Sequence, residues 1–223
     1  MASEPLLNEV EVRVLGCLLE KETTTPEYYP LTLNALTAAC NQKSNRYPVV
    51  DYSEKDVVRS LEALREKQWV RMVSGAEMRV PRYYHRLADR LGLGAPELAA
   101  LGVLMLRGPQ TSGEIRGRAE RLHGFPDLDA VESVLQGLID RPQGALAVRL
   151  PRQAGHKESR YAHLLAGQPV IVEDEAGPRL EPASLQVRTE DERLDRLEAQ
   201  VAALRREVEE VKAAFAAFRR QFE

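Results

Sequence analysis

The pattern Arg82-Tyr83-x-His85-x-Leu87 returns further along this chain as Arg160-Tyr161-x-His163-x-Leu165. Upstream of each copy lies a matching apolar stripe: Val57, Leu61 and Leu64 before the first, Val131, Leu135 and Leu138 before the second. An ordered recurrence of this kind means two units of one build in tandem. Aromatic residues at 5% and charged residues at 29% fit small, helix-rich units better than a broad sheet.

Local signals describe each unit. Asn8 with Glu11 reads as an N-cap and its partner for a helix over residues 9–22, where Val10, Val14, Leu15, Leu18 and Leu19 recur at helical spacing. Pro26 and Pro30 bracket a loop, Thr32 caps a second helix ending near Cys40, and Pro48 keeps residues 41–52 out of helix. Ser53 with Asp56 caps a third helix. From Trp69 the period becomes that of strands, over residues 69–73 and 78–84 about a Ser74-Gly75 turn, followed by a short helix over residues 85–91. The order then repeats: Pro96 opens a helix, Thr111 with Glu114 and then Asp127 cap two more, and residues 146–150 and 159–164 form a second hairpin. Three helices and a hairpin, twice over, predict a mainly α fold with small β-hairpins. The expected arrangement is two tandem winged helix-turn-helix domains, residues 6–91 and 92–166.

The remainder differs. Residues 167–189, with Pro169, Pro178, Pro182 and Glu173-Asp174-Glu175, read as a linker, with a brief strand at Val170-Ile171-Val172. Residues 190–223 contain neither Gly nor Pro, and their apolar residues alternate at three and four. Leu194, Val201, Val208, Phe215 and Phe222 take heptad position a, and Leu197, Leu204, Val211 and Phe218 take d. Valine at a with leucine at d favours two strands, so this helix is expected to form a coiled coil joining a homodimer. The competing reading folds it back on its own chain.

The formal net charge of −3 hides an uneven distribution. Residues 1–91 balance 13 basic against 13 acidic side chains, whereas residues 168–223 carry 9 against 13. The globular part is thus free to present a basic face. Cys17 and Cys40 sit in apolar helical patterns and read as buried thiols of a reducing compartment. With no signal-like start and no membrane-length apolar run, the cytoplasm is the expected location.

Little supports catalysis. His85, His123, His156 and His163 are scattered, no Cys or His stands at metal-ligand spacing, and no glycine-rich phosphate loop occurs. Neither enzyme activity, metal nor cofactor is expected. Nucleic-acid binding has more behind it. The first third helix carries Lys55, Arg59, Arg65 and Lys67 among as many acids, whereas the second carries Asp127, Asp129, Glu132 and Asp140. Both hairpins are basic, with Arg71, Arg79 and Arg82 in the first and Arg149, Arg152 and Arg160 in the second. Basic wings suit phosphate contact. Lys43-Ser44-Asn45-Arg46 offers donors for phosphate and base edges, or else hydrogen bonds that brace its own loop, with Asn41 left-handed at the end of the second helix.

The stretches EKETTTPEYYPLTLNALTAACNQKSNRYPV (residues 20–49), VSGAEMRVPRYYHR (73–86), LRGPQTSGEIRGRAERLH (106–123) and VRLPRQAGHKESRYAHLL (148–165) closely resemble the bacterial YceH family. The resemblance covers about residues 6–167 and implies a tandem winged-helix fold; it implies no established activity. Tyr47, where the family more often has an acid, and Pro81 in the first wing depart from its pattern.

The leading expectation is a dimeric DNA-binding regulator or architectural protein touching the duplex through Lys43, Asn45, Arg46, Arg59, Arg71, Arg79 and Arg82. The alternative is a scaffold whose winged helices grip other proteins.

Overall fold

The computed structural model describes residues 7–75, 79–152 and 158–169. Residues 170–189 of the expected linker, the coiled coil and dimer contact, the strand at Val170-Ile171-Val172, and Met78 of the first hairpin all lie outside the described residues. Those described belong to one compact unit, which clusters over Met1–Glu173.

Helix α1 (Glu9–Thr24) opens on a capping box: the Glu11 N–H donates to Asn8 at 2.9 Å and the Asn8 N–H donates to the Glu11 carboxylate at 2.8 Å. Glu11 is itself buried, and Lys67 supplies its counter-charge at 2.8 Å. A 3-10 turn (Pro26–Tyr28) and a two-residue strand β1 (Leu31–Thr32) lead to α2 (Leu33–Cys40), where Thr32 accepts the capping bond from the Ala35 N–H. Helix α3 (Glu54–Glu66) starts on the Ser53–Asp56 box. Gln68, at φ 62, turns the chain out of α3 into β2 (Val70–Val73), which pairs antiparallel with β3 (Arg82–His85). The returning strand is thus shorter than expected and begins just after Pro81, which has no N–H to give a ladder.

Strand β3 is the middle of a three-stranded sheet in the order β1-β3-β2, with Leu31 opposite Tyr83 and Thr32 opposite Arg82. No local signal marks β1, since two residues carry no period.

After α4 (Leu87–Leu91) the plan recurs as α5 (Ala95–Arg107), α6 (Ser112–Ala119), α7 (Leu128–Ile139) and the hairpin β4 (Ala147–Arg149) with β5 (Tyr161–His163). Thr111 with Glu114 caps α6, and Asp127 caps α7. Here a single bridge, Gln110 to Tyr161, stands where the first half has β1. Among the described residues the fold is mainly helical with two small antiparallel sheets.

Both halves share one apolar core, seamed by α1 and α5. Gly16 and Gly102 stand at the same position counted from the start of their helices. A Cβ at Gly16 would lie 2.8 Å from Leu106 Cδ2, and one at Gly102 would lie 2.9 Å from Leu19 Cδ2. Gly16 meets Leu106 while Gly102 meets Leu19, so the two helices run antiparallel. The hairpin held near the end of α1 and the hairpin held near the end of α5 therefore sit at opposite ends of this pair.

The repeated motif now has a physical reason. Arg82 donates to the Pro30 carbonyl at 3.0 Å, and its repeat partner Arg160 donates to the Pro109 carbonyl at 2.9 Å. Each proline lies two residues before the threonine that caps the second helix of its half, Thr32 or Thr111. The repeated arginines tie hairpin to helix start, and the tyrosines beside them, Tyr83 and Tyr161, face Leu31 and Gln110 across the same strand contact.

Candidate nucleic-acid interface

Helix α3 buries Val57, Ser60, Leu61 and Leu64. Helical spacing consequently turns Lys55, Arg59, Glu62 and Glu66 outward as one exposed stripe. Its N-terminal half is basic and its C-terminal half acidic. Directly after α3, Arg71 on β2 and Arg79 ahead of β3 are also exposed. Lys43, Lys55, Arg59, Arg71 and Arg79 form no ion pair among the described residues. Exposed charges without a close ion pair are the ones available to an anion outside, though Arg59 also acts on the Asp56 carboxyl one turn before it. Lys55 belongs with this group although the sequence reading did not include it among the seven contact residues. Its signal was the helical spacing that puts it one turn before Arg59.

Three of the seven residues have other work. Arg46 does not face a duplex: it is 5% exposed, and its Nη2 stands 2.5 Å from Glu20 Oε2. It donates further to the Ala39 carbonyl at 3.1 Å and to Gln42 at 3.0 Å. Burial pushes the Glu20 carboxyl up, but the Arg46 hydrogen bonds and charge outweigh it and leave it below its ordinary value. The reason for the correction is that a buried carboxylate needs a cation, and the loop supplies it. Asn45, at φ 58, is exposed but accepts a hydrogen bond from Arg107. Arg82 is half-buried, donating to the Tyr28 and Pro30 carbonyls.

The connection over residues 41–53 is thereby a braced structure. Asn41 is not left-handed, at φ −92; its side-chain amide donates to the Tyr52 carbonyl at 2.8 Å and accepts from the Tyr52 N–H at 2.9 Å. Arg13, buried on α1, donates to the Cys40 and Pro48 carbonyls at 3.1 and 2.6 Å. The Tyr47 N–H donates to the Leu106 carbonyl near the end of α5 at 2.8 Å. Arg13 escaped the sequence reading; its only signal was a charge on the apolar side of α1. Lys43 remains exposed at the tip, and Tyr47 and Val49 are exposed beyond it.

The paired histidines diverge. His85 Nδ1 accepts from the Leu87 N–H at 3.1 Å and so steadies the start of α4, while its Nε2 stands 2.9 Å from the Glu22 carboxylate. His163 has a buried Nδ1 with no hydrogen-bond partner among the described residues, and burial pushes it down to about 4. The second hairpin leaves Arg152 exposed, whereas Arg149 lies 5.9 Å from the Tyr161 ring and Arg160 pairs with Glu114 at 3.2 Å. Helix α7 exposes Asp129 and Glu132, and its caps Asp127 and Asp140 are exposed as well. Among the described residues no helix is long and apolar enough to cross a membrane.

Comparison with known proteins agrees with this build. Residues 7–156 match the family described as "Protein of unknown function, DUF480". A UPF0502 protein of Geobacter sulfurreducens is 57% identical over 220 residues, 99% of this chain and 100% of the relative. One of Geotalea uraniireducens is 57% identical over 216 residues, 94% of this chain and 98% of the relative. One of Opitutus terrae is 49% identical over 201 residues, 90% of this chain and 84% of the relative. The resemblance carried by residues 20–49 thus holds across almost the whole length, and the chain belongs to the DUF480/UPF0502 family, the family that the sequence reading named YceH.

Proposed function

We propose that this protein binds duplex DNA through its first half, and that each half is a winged helix-turn-helix unit. The observation that carries the reading is the set of exposed cations that form no close ion pair among the described residues on one helix-hairpin unit: Lys55 and Arg59 on α3, Arg71 and Arg79 on the hairpin that follows. In a helix-turn-helix the N-terminal part of the recognition helix meets the bases, and that part of α3 turns Lys55 and Arg59 outward, alongside Glu54 and Asp56. The hairpin arginines then suit phosphate contact, which positions the protein without reading sequence. The acidic outward face of α7 would be repelled by phosphates, so the second half leaves the duplex to the first. A homodimer through residues 190–223 would bring two such surfaces together, and the free thiols Cys17 and Cys40 fit a reducing cytoplasm.

The test is an electrophoretic shift of mixed genomic fragments by the full chain at low salt. Retention that weakens linearly as log salt rises supports the reading; no retention ends it. The acidic α7 face favours a second reading, a scaffold that grips other proteins. Affinity capture with and without nuclease separates them, since a scaffold keeps its partner after nuclease treatment.

A further inference from the structure

Among the exposed large apolar side chains, three stand beside charges of opposite sign on the two halves. In the first half these are Met72 on β2, 37% exposed, and Val80 ahead of β3, 51% exposed. Strand β2 is an outer strand in the order β1-β3-β2, so Arg71 and Met72 both border its open edge. Arg79 adjoins Val80, and neither arginine forms an ion pair among the described residues.

In the second half the apolar residue is Leu128, the first of α7, 45% exposed. It lies between the exposed Asp127 and Asp129, with the exposed Glu132 one turn further on. No Lys or Arg occurs from Asp127 to Asp140, and Arg141 beyond them donates to the Leu91 carbonyl at 2.6 Å. An apolar centre with a charged rim is the anatomy of a protein contact surface. The hairpin and the helix face match, apolar to apolar and arginine to carboxylate. They do not meet within one chain, because α7 packs on β4 and the two hairpins sit at opposite ends of the α1–α5 pair. Each surface finds its complement on another copy.

We propose that the first hairpin of one copy docks on α7 of a second copy. Met72 and Val80 cover Leu128, and Arg71 and Arg79 face Asp129 and Glu132. Unlike patches meet, and every copy carries one of each. Burial of the three apolar side chains supplies the attraction, while the opposite charges set orientation and make the contact sensitive to salt. A duplex on Arg71 and Arg79 would exclude this contact, which itself does not depend on the DNA-binding reading.

The experiment is sedimentation equilibrium of the nuclease-treated full-length protein at about 100 μM, in about 20 mM and about 500 mM sodium chloride. The wild type is expected to show at least roughly twice the weight-average mass at low salt that it shows at high salt. D129K/E132K alone and R71E/R79E alone are each expected to stay at the high-salt mass. Mixed in equal amounts they are expected to associate again, because the intact hairpin of the first meets the intact α7 of the second and the two reversed surfaces also match. L128S is expected to weaken the low-salt association about tenfold. All five positions are exposed, and circular dichroism checks that each variant is folded. The mixing arm separates this contact from one through residues 190–223, which none of the substitutions touches. A wild-type mass equal at both salts leaves α7 to a different protein and overturns the proposal. Association of either reversed variant alone, or failure of the mixture to associate, overturns it as well. No nucleic acid is present, so a failed gel shift leaves these outcomes untouched.

Discussion

Arg46 in the loop after α2 lies 2.5 Å from Glu20 on α1, with the arginine side chain at 0% exposure and the glutamate at 14%. An exposed polar loop is thus anchored by a charge pair under its own surface. Removing one partner of such a pair leaves an uncompensated buried charge. Arg46→Ala is therefore expected to cost about 3 kcal/mol, the low end for a buried pair because Glu20 keeps some solvent. Arg46→Lys recovers only part, since an ammonium cannot fork between a carboxylate and the Ala39 carbonyl. Urea unfolding of the three chains measures both.

The same pair sets an acid limb. The Glu20 carboxyl is held below its ordinary value of 4.5, so the unfolded chain binds the proton more readily. Its contribution is complete above the ordinary value and is lost as pH falls through the depressed one. In Glu20→Gln the urea midpoint should fall less steeply with acid below about pH 4.5 than in the wild type. Equal slopes would count against the pairing.

His163 acts in a different window. Burial lowers it from 6.5 to about 4, so between those values the unfolded chain is protonated and the folded chain is not. Stability is complete above pH 6.5, declines as pH falls toward 4, and then levels off. The decline amounts to about 3 kcal/mol. His163→Leu should flatten the urea midpoint across this window, and a slope unchanged from wild type would refute the assignment.

At the α1–α5 seam, Gly16→Val must displace Leu106, whose Cγ as well as Cδ2 lies close, at 3.0 and 2.8 Å from a Cβ at this position. Overpacking of this kind is expected to cost about 2–3 kcal/mol. Gly117, inside α6, has nothing within 4 Å of such a Cβ. Gly117→Ala is expected to stabilise by about 0.5–1 kcal/mol through helix propensity alone. Thermal unfolding of the two variants should move in opposite directions.

For the proposed DNA contact, Arg71→Ala should reduce the slope of log affinity against log salt by about one and leave stability within about 0.5 kcal/mol. Arg59→Ala should cost about 1–3 kcal/mol of binding if it reads a base. Arg82→Ala should do the reverse of Arg71→Ala: it loses its bonds to the Tyr28 and Pro30 carbonyls, costing about 1–2 kcal/mol of stability, with the salt slope unchanged.

Much of the fold was legible because its signals are local. Asn8-Glu11, Ser53-Asp56 and Thr111-Glu114 each close within one helical turn, so residue order alone announces them. The stripes Val57-Leu61-Leu64 and Val131-Leu135-Leu138 are all buried, as their spacing required. The candidate site was legible only in part. Arg59, Arg71 and Arg79 could be picked by charge and exposed position, while Arg46 and Arg82 carry the same charge and differ only in what stands opposite them.

The sequence by itself determined the order of the main helices and hairpins, most helix starts and the family, since each rests on neighbours a few residues apart or on a long run of identical residues. Tertiary structure alone decided which charges are spent. Glu20 claims Arg46, Pro30 and Pro109 claim Arg82 and Arg160, and Leu106 takes the Tyr47 N–H, all across separations that no periodicity encodes. It also set the two hairpins at opposite ends of the α1–α5 pair. The physical reason is that burial removes water as a partner: each polar group enclosed by packing must then find another inside the fold, and which one is nearby depends on how the helices cross.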